Sequence, residues 1–288
     1  MPIRRAALAT VTTLATTMVT ALAAAPSGSA EPSPPDRPLS VMSFNIHHGV
    51  GTDGVLNLQR IADVVETEGV DVVGLQEVDR HWSERSDFVD QAEWLARELN
   101  MHVVYGANLD LDPLEPGAPR RQFGTAILSE RPIRDWENTF LPRHDDHEQR
   151  GLLRARINVR GVWVHVYNTH LQHDNSAERL DQVAAIEELI GTPDESVILL
   201  GDLNATPDSP EIGELVDDLV DAWEEGGAGD GSTYPGEDPQ TRIDYVMTSD
   251  DVVTRTAAVV ATDASDHRPV RADVLLPGSL VGGGPNDS

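Results

Sequence analysis

VDVVGLQE, residues 70–77, is the stretch that says most about the fold. It is a nearly continuous apolar run that ends in two polar residues, and such a run predicts a strand covered on both faces. SVILLGD, residues 196–202, has the same pattern, and LSVMSFNI, residues 39–46, adds a third apolar stretch rich in strand-forming residues. Strands of this kind lie inside a layered protein.

Helical patterns alternate with these strands. Apolar spacing and end signals predict helices over residues 57–69, 89–100, 176–191 and 209–223. In this interpretation Ser176 caps the third helix and Gly191 ends it. Further strands are predicted at residues 101–106, 123–129, 150–159, 162–170, 243–249, 252–260 and 270–276. Because strands outnumber helices, we predict two packed sheets with helices on their outer faces.

The N-terminus has the three parts of a secretory signal peptide. MPIRR is basic, an uncharged stretch follows from Ala6 to Ala25, and PSGSA ends it with small residues. A transmembrane anchor fits less well, because the stretch is rich in Thr and Ala and has no basic flank. We expect cleavage after Ala30, with Ala25 as the alternative, and therefore a secreted, extracellular protein.

The rest of the chain is expected to form one large domain with unstructured ends. Residues 31–38 are a proline-rich spacer, residues 39–276 the domain and residues 277–288 a flexible tail. The signal peptide occupies residues 1–30. The mature chain is expected to be a monomer with no transmembrane segment.

The composition is strongly acidic and lacks cysteine. There are 21 Lys and Arg residues against 49 Asp and Glu residues, which gives a net charge of -28. Nucleic-acid affinity rests largely on basic side chains that neutralise phosphates, so no stable nucleic-acid complex is expected. Without disulfides, an exported protein must rely on packing or on bound metal.

Polar residues interrupt the apolar runs mainly where strands end, which is where loops of α/β proteins meet a ligand. These residues are Asn45, Glu77, Asn168, His170, Asp202, Asn204, Asp244, Asp266 and His267. Each also has an ordinary structural interpretation: Asp202 and Asn204 could form an Asx turn, and Asp244 could pair with Arg242. Together they supply what hydrolysis of a phosphate ester requires.

A divalent cation with oxygen ligands is the expected cofactor. Glu77 and Asp266, with the amide oxygen of Asn45, would satisfy Mg²⁺, which takes one or two carboxylates and keeps several waters. Mn²⁺ and Ca²⁺ are alternatives. Zinc is disfavoured, because the chain has no cysteine and no His-x-x-x-His pair.

The remaining residues suit the chemical step. Asp202 could accept the proton of an attacking water. Asn204 and His170 could donate to the nonbridging oxygens, on which negative charge develops. His267, held by Asp244, would be a stronger base or a steadier cation.

Seven short motifs in order resemble the endonuclease/exonuclease/phosphatase superfamily, the deoxyribonuclease-like metallohydrolases, and within it a bacterial secreted branch. The motifs are FNIHH, LQEVDR, FGTAILS, NTHL, GDLNATP, RIDYV and SDHRPV. The resemblance implies a four-layer α/β/β/α sandwich of two mainly antiparallel sheets. It also implies the site roles given above, with Asp266 in or next to the metal site, and direct attack by water without a covalent enzyme intermediate.

Four other residues in or near the motifs are weaker candidates for contact with the substrate. Arg121 and Arg80 are placed where a cation could meet the substrate, and ordinary surface arginines are the alternative. His47 and His48 follow Asn45 at the rim, and the surface interpretation is favoured for both.

Three functions remain open. A secreted metal-dependent phosphoesterase acting on lipid headgroups or small phosphoesters is favoured, because the chain is acidic and resembles the bacterial hydrolase branch. An extracellular nuclease for DNA or RNA is the first alternative, although the chain has no visible basic stripe with interleaved aromatic residues. A non-catalytic binding protein on the same scaffold is the second.

Overall fold

The fold is described by a computed structural model for residues 37–192 and 194–278. The predicted signal peptide, most of the predicted spacer and the predicted tail from residue 279 onward lie outside the described residues. Within the described residues, no helix combines the length and the apolar character needed to cross a membrane.

The described residues form twelve strands, five α-helices and two short 3-10 helices, His47–Gly49 and Glu84–Ser86. The strands are β1 Arg37–Asn45, β2 Val72–Arg80, β3 His102–Leu111, β4 Arg121–Ser129, β5 Ile133–Phe140, β6 Gly151–Val159, β7 Val162–His170, β8 Ser196–Asp202, β9 Val220–Asp221, β10 Asp244–Thr248, β11 Val253–Val259 and β12 Val270–Leu276. The helices are α1 Leu58–Glu68, α2 Gln91–Glu98, α3 Ser176–Ile190, α4 Pro210–Asp218 and α5 Ala222–Gly226.

The strands make two six-stranded sheets. The first has the order β11-β12-β1-β2-β4-β3, and the second has the order β5-β6-β7-β8-β10-β9. One central pair in each sheet is parallel, β1 with β2 and β7 with β8. The other pairs are antiparallel. The prediction of two mainly antiparallel sheets is confirmed.

Alternation along the central strands produces the layers. Val72 and Ile198 point between the sheets into one apolar core, while Val73 and Leu199 point to the outer faces. Side chains of a strand alternate between the two faces, so a strand covered on both faces must be apolar at successive positions. The continuous apolar runs therefore mark interior strands, as predicted.

Helices cover both outer faces. Ile61 of α1 and Leu95 of α2 pack with Phe44 on the first sheet. Ile186 of α3 and Leu215 of α4 pack into the core cluster on the outside of the second sheet. The predicted four-layer α/β/β/α sandwich is confirmed.

Two local predictions for the helices on the second sheet were wrong. The N-cap of α3 is Asn175 and not Ser176, since the Asn175 side chain accepts a hydrogen bond from the Glu178 amide. The helix predicted over 209–223 is interrupted at Leu219, and a new helix starts after Asp221. Asp221 caps that helix through the Trp223 amide and cannot continue the first one.

Buried amides join the two sheets across the apolar core. The Asn168 Nδ2 on β7 donates to the carbonyl oxygens of Leu75 and Ala126 in the first sheet, at 2.9 Å in both cases. The Asn168 Oδ1 accepts from Gln76 Nε2 at 2.6 Å. Gly74 permits this close approach, because a Cβ there would lie 2.9 Å from Asn168 Cγ. Asn168 therefore fixes the position of one sheet on the other.

Replacing Asn168 by Ala is expected to lower the free energy of unfolding by about 2–4 kcal/mol, because a buried polar group left without its partner costs about 1–3 kcal/mol. Urea denaturation measures the change. Gln59→Ala, which removes an exposed amide on α1, is the control and should alter stability by about 0.5 kcal/mol or less. Equal denaturation midpoints for Asn168→Ala and the parent would contradict the role of this amide.

Candidate active site

The predicted polar residues meet where the central strands end. Asn45 is the last residue of β1, His170 of β7 and Asp202 of β8. Asp244 is the first residue of the antiparallel strand β10, so it lies at the same edge. His170 pairs with Asp202, and Asp202 pairs with Asp244, across adjacent strands. The register of the second sheet therefore places three candidate side chains in a row.

His267 lies between two buried carboxylates. Its Nδ1 donates to Asp244 Oδ2 at 2.9 Å, and its Nε2 is 3.7 Å from Asp202 Oδ2. Asp202 and Asp244 are each 1% exposed and His267 is 5% exposed. The Tyr234 ring packs on the imidazole, with 4.8 Å between the ring centroids. The suggestion that Asp244 pairs with Arg242 has no support, because Arg242 binds Asp221 and Glu224.

Burial and charge set the protonation states of this group. Burial, with the charge of Asp244, raises the pKa of Asp202 to about 7. Burial alone would lower the pKa of His267, but attraction to Asp244 and Asp202 outweighs it and raises that pKa to about 10. At neutral pH His267 is therefore an imidazolium, while Asp202 can both hold and release a proton.

Asn45 connects this group to the first sheet. Its Nδ2 donates to Asp202 Oδ2 at 3.0 Å and to Glu77 Oε1 at 3.1 Å. Its Oδ1 accepts the His47 amide at 3.1 Å. Ser265, which precedes the Asp266–His267 pair, donates to the Asn45 carbonyl at 2.7 Å and so ties that turn to β1.

His170 faces the same carboxylate from the other side. Its Nε2 lies 3.4 Å from Asp202 Oδ2. Burial, together with the nearby positive charges of Arg150 and His267, lowers the pKa of His170 well below its ordinary value. The site therefore has one neutral and one charged imidazole facing Asp202.

Asn204 forms the suggested Asx turn, and its side-chain amide points to a neighbouring carbonyl. Its amide donates to Asp202 Oδ1 at 3.0 Å in an Asx turn, with φ 50° at Asn204. Its Nδ2 donates to the Leu171 carbonyl at 3.0 Å, which fixes the side chain. An amide nitrogen carries two hydrogens, so one remains for a ligand.

Glu77 enters the site at a β-bulge. The register of β2 against β4 shifts between Leu75 and Val78, and Glu77 has φ 55°. This backbone conformation is strained for a residue other than glycine, and such strain is typical of functional positions. The half-buried Glu77 carboxylate is thereby held beside Asn45.

Two groups of side chains could hold a metal ion, because the ligand atoms within each group lie within 4.8 Å of one another. The two groups differ in how well their chemistry suits a cation. The first group is His47, His48 and Glu77, and the second is Asp202, Asp244 and His267. A protonated imidazole cannot bind a metal, so the second group fits a cation poorly while His267 is charged. The carboxylate of Glu77, an oxygen donor of the kind that such cations prefer, fits a divalent cation better.

The two rim histidines lie beside Glu77, and Asp266 lies beside one of them, His47. Asp266 Oδ1 is 3.6 Å from His47 Nδ1, and about a third of each side chain is exposed. Burial, followed by the charge of Arg85, lowers the pKa of His48 to about 4, so its ring is neutral near pH 7. Asp266 is thus placed against a rim histidine that itself lies beside Glu77.

The two predicted substrate arginines are engaged elsewhere. Arg80 Nε donates to Asp90 at 2.7 Å, and its guanidinium lies over the Tyr105 ring. Arg121 Nε donates to the Asp112 carbonyl at 2.9 Å, and Arg121 lines a separate surface cavity of about 440 Å³. The structure brings neither arginine into hydrogen-bond contact with the residues around Asp202.

Two other arginines near the site were missed. Arg85 binds the fully buried Asp79 through two hydrogen bonds of 2.7 and 2.9 Å, and its charge acts on Glu77. Arg150 is 5% exposed, pairs with Glu148 at 2.7 Å and affects His170. Arg85 lies in a short 3-10 helix and Arg150 directly precedes β6, and only their tertiary contacts identify them.

In the metal-free protein, His267 is expected to remain an imidazolium at about pH 8.5, where an ordinary histidine with a pKa of about 6.5 is neutral. Side-chain ¹⁵N NMR across a pH titration measures this directly. Asp244→Asn should lower the pKa of His267, because it removes the first of the two attracting charges. A His267 that loses its proton near pH 6.5 in the parent protein would be incompatible with this charge arrangement.

Two known proteins each match about half of this chain. A phospholipase C of Staphylococcus aureus is 26% identical, covering 52% of this chain and 59% of its own length. The protein cwh43 of Schizosaccharomyces pombe is 27% identical, covering 55% of this chain and 15% of its own length. The chain thus spans less than two thirds of both relatives.

A solved structure and a family model match more of the chain. The structure of an endonuclease/exonuclease/phosphatase from Beutenbergia cavernae has a TM-score of 0.70 at 27% identity, covering 84% of this chain and 72% of that one. The model of the Endonuclease/Exonuclease/phosphatase family matches residues 42–267, from β1 to His267. The chain belongs to the Endonuclease/Exonuclease/phosphatase family, whose members are hydrolases that act on phosphoesters.

Proposed function

We propose that this protein is a secreted, metal-dependent phosphoesterase in which water attacks phosphorus directly. The observation that carries the proposal is the buried group of Asp202, His267 and Asp244, in which one carboxylate has a pKa near 7 beside an imidazolium. A base of that pKa and a fixed cation are what attack by water on a phosphate requires.

Asp202 is the proposed general base. Asn45 Nδ2 and the Asn204 amide each donate to one of its two oxygens, at 3.0 Å, so the carboxylate is held in one orientation. As the water oxygen forms its bond to phosphorus, Asp202 takes the water proton and the bond to the leaving oxygen breaks. No residue of the chain becomes covalently modified.

His267 and His170 are the proposed contacts to the phosphate. His267 is an imidazolium whose Nδ1 is bound to Asp244, so its Nε2–H is directed toward Asp202 and the space beside it. His170 Nε2 faces the same oxygen from the other side. A phosphate beside Asp202 would meet both rings, and the positive ring would oppose the charge that develops on the nonbridging oxygens.

Glu77, Asn45 and Asp266 are the proposed metal site. A divalent cation bound there would neutralise phosphate charge, in the way that hard cations act in phosphoryl transfer. Glu77 is positioned for this by its bulge, and Asn45 links it to the base by 3.1 and 3.0 Å hydrogen bonds. Mg²⁺ is the cation first expected from these oxygen donors.

The favoured substrates are lipid headgroups or small phosphoesters. The chain carries a charge of -28, which disfavours a polyanion. The arginines near the site are already paired with carboxylates: Arg85 with Asp79, Arg150 with Glu148 and Arg80 with Asp90. A relative of 26% identity is a phospholipase C, which supports the same choice.

With Mg²⁺, the protein is expected to release phosphorylated headgroup from phosphatidylcholine vesicles or to hydrolyse bis(p-nitrophenyl) phosphate, while supercoiled plasmid stays intact at the same enzyme concentration. EDTA should abolish the reaction. Plasmid nicking that EDTA removes, with lipids and small esters untouched, would replace this proposal by an extracellular nuclease. A folded protein that turns over none of these substrates would favour the binding-protein alternative.

His267→Gln is expected to lower kcat by about 10²–10³-fold, the usual loss when one group that stabilises the charge of the transition state is removed. The amide can still bond Asp244, so the fold should persist, which circular dichroism checks. His102→Ala, at the exposed start of β3, is the matched control and should keep parental activity. Parental kcat in His267→Gln would remove His267 from the mechanism.

A further inference from the structure

The FNIHHG turn places two histidines against the predicted metal carboxylate. His47, His48 and Glu77 offer ligand atoms that lie within 4.8 Å of one another, and we call these three residues the His-His-Glu cluster. The two imidazole rings are packed edge to face, with 4.6 Å between their centroids. Sequence reasoning favoured a surface role for both histidines, because consecutive residues at a strand exit are commonly exposed.

All three cluster residues have a left-handed backbone. The φ angles are 43° at His47, 43° at His48 and 55° at Glu77. Non-glycine residues seldom adopt these angles unless the surroundings impose them, and they collect at functional sites. A turn alone does not require three strained residues whose ligand atoms also lie close together. The combination therefore indicates a functional site.

Buried hydrogen bonds impose this conformation. The Gln91 Nε2 donates to the His48 carbonyl at 2.7 Å, and the Gln91 Oε1 accepts the Asp79 amide at 2.9 Å. Gln91 is 0% exposed and thereby clamps the turn to β2, close to Glu77. The Asn45 Oδ1 accepts the His47 amide at 3.1 Å. The cluster is therefore preorganised by the fold.

The ring of His47 has a nitrogen that lacks a partner. Its Nδ1 is buried and has no hydrogen-bond partner among the described residues. Asp266 Oδ1 lies 3.6 Å away, which is beyond hydrogen-bond distance. Buried polar atoms are normally satisfied, and an exception indicates a missing ion or water. A cation bound by this nitrogen would satisfy it.

Local charge also favours a cation at the cluster. Arg85, whose charge acts on Glu77 and His48, is neutralised by two hydrogen bonds to Asp79. Asp266 lies beside the unpartnered Nδ1 of His47 and adds a negative charge.

We propose that His47 and His48 bind the divalent cation together with Glu77, and that this two-histidine, one-carboxylate site prefers Mn²⁺ or Zn²⁺ to Mg²⁺. The inference rests on the proposed function in one respect, since it concerns the cation assigned there to Glu77. Imidazole nitrogen suits first-row transition metals, whereas Mg²⁺ prefers an all-oxygen shell. The expectation from oxygen donors alone is thereby revised toward transition metals.

The test measures metal binding in the full protein without substrate. Calorimetry compares Mn²⁺, Zn²⁺ and Mg²⁺, and pulsed EPR of bound Mn²⁺ detects coupling to imidazole ¹⁴N. The variants are His47→Asn and His48→Asn, because Asn tolerates a left-handed backbone and brings no imidazole. His102→Ala is the control for a histidine distant in sequence, and circular dichroism of the metal-free variants checks folding.

We expect one tight Mn²⁺ or Zn²⁺ per chain, bound about 10-fold or more tightly than Mg²⁺, with ¹⁴N coupling. Each Asn variant should lose part of that coupling and about 10–100-fold in affinity, a loss that even groups supporting a metal ligand can cause. Mn²⁺ that binds the folded parent without ¹⁴N coupling, or with equal affinity in parent and variants, overturns the proposal. Intact ¹⁴N coupling without phosphoester turnover would instead contradict the proposed function alone.

Discussion

Two carboxylates buried side by side are the constraint on which the site depends. Asp202 and Asp244 pair directly across β8 and β10, so the register of the second sheet fixes them as neighbours. Two adjacent buried negative charges are not tolerated without a cation or a proton. His267 provides the positive charge from the turn that precedes β12 of the other sheet. Burial of the pair therefore also fixes how the two sheets meet at this edge, and it leaves Asp202 with a pKa suited to a base.

Neutral amides complete the connection between the sheets. Asn168 bonds two carbonyls and Gln76 of the first sheet in the apolar interior, and Asn45 joins Glu77 to Asp202 at the edge. An amide can donate and accept without bringing another charge into a buried region. The amide hydrogen bonds therefore hold the Asp202 carboxylate in one position. The rim around Glu77 differs, because its geometry comes from strained backbone that Gln91 holds in place.

The layers and most of the site could be predicted because they follow from local patterns. Continuous apolar runs marked the interior strands, and the polar residue that ends each run marked the functional edge. The features that the sequence patterns did not predict depend on contacts between residues distant in the chain. The bulge at Glu77, the clamp from Gln91 and the paired Arg85 and Arg150 have no periodic signal. The sequence did not predict the break at Leu219, because Asp221 resembles any other polar residue on a helix. Its cap on the Trp223 amide and its contact with Arg242 are visible only in the structure.

The central claim is that water attacks phosphorus in a single step, with Asp202 as the base and no covalent enzyme intermediate. The most direct measurement uses a diester made chiral at phosphorus by one sulfur atom and hydrolysed in ¹⁸O-labelled water, with the configuration of the product determined by NMR. A single displacement inverts the configuration and places one ¹⁸O on phosphorus. Direct attack by water predicts inversion. Retention would require two successive displacements, and therefore a covalent intermediate on the protein, which would contradict it.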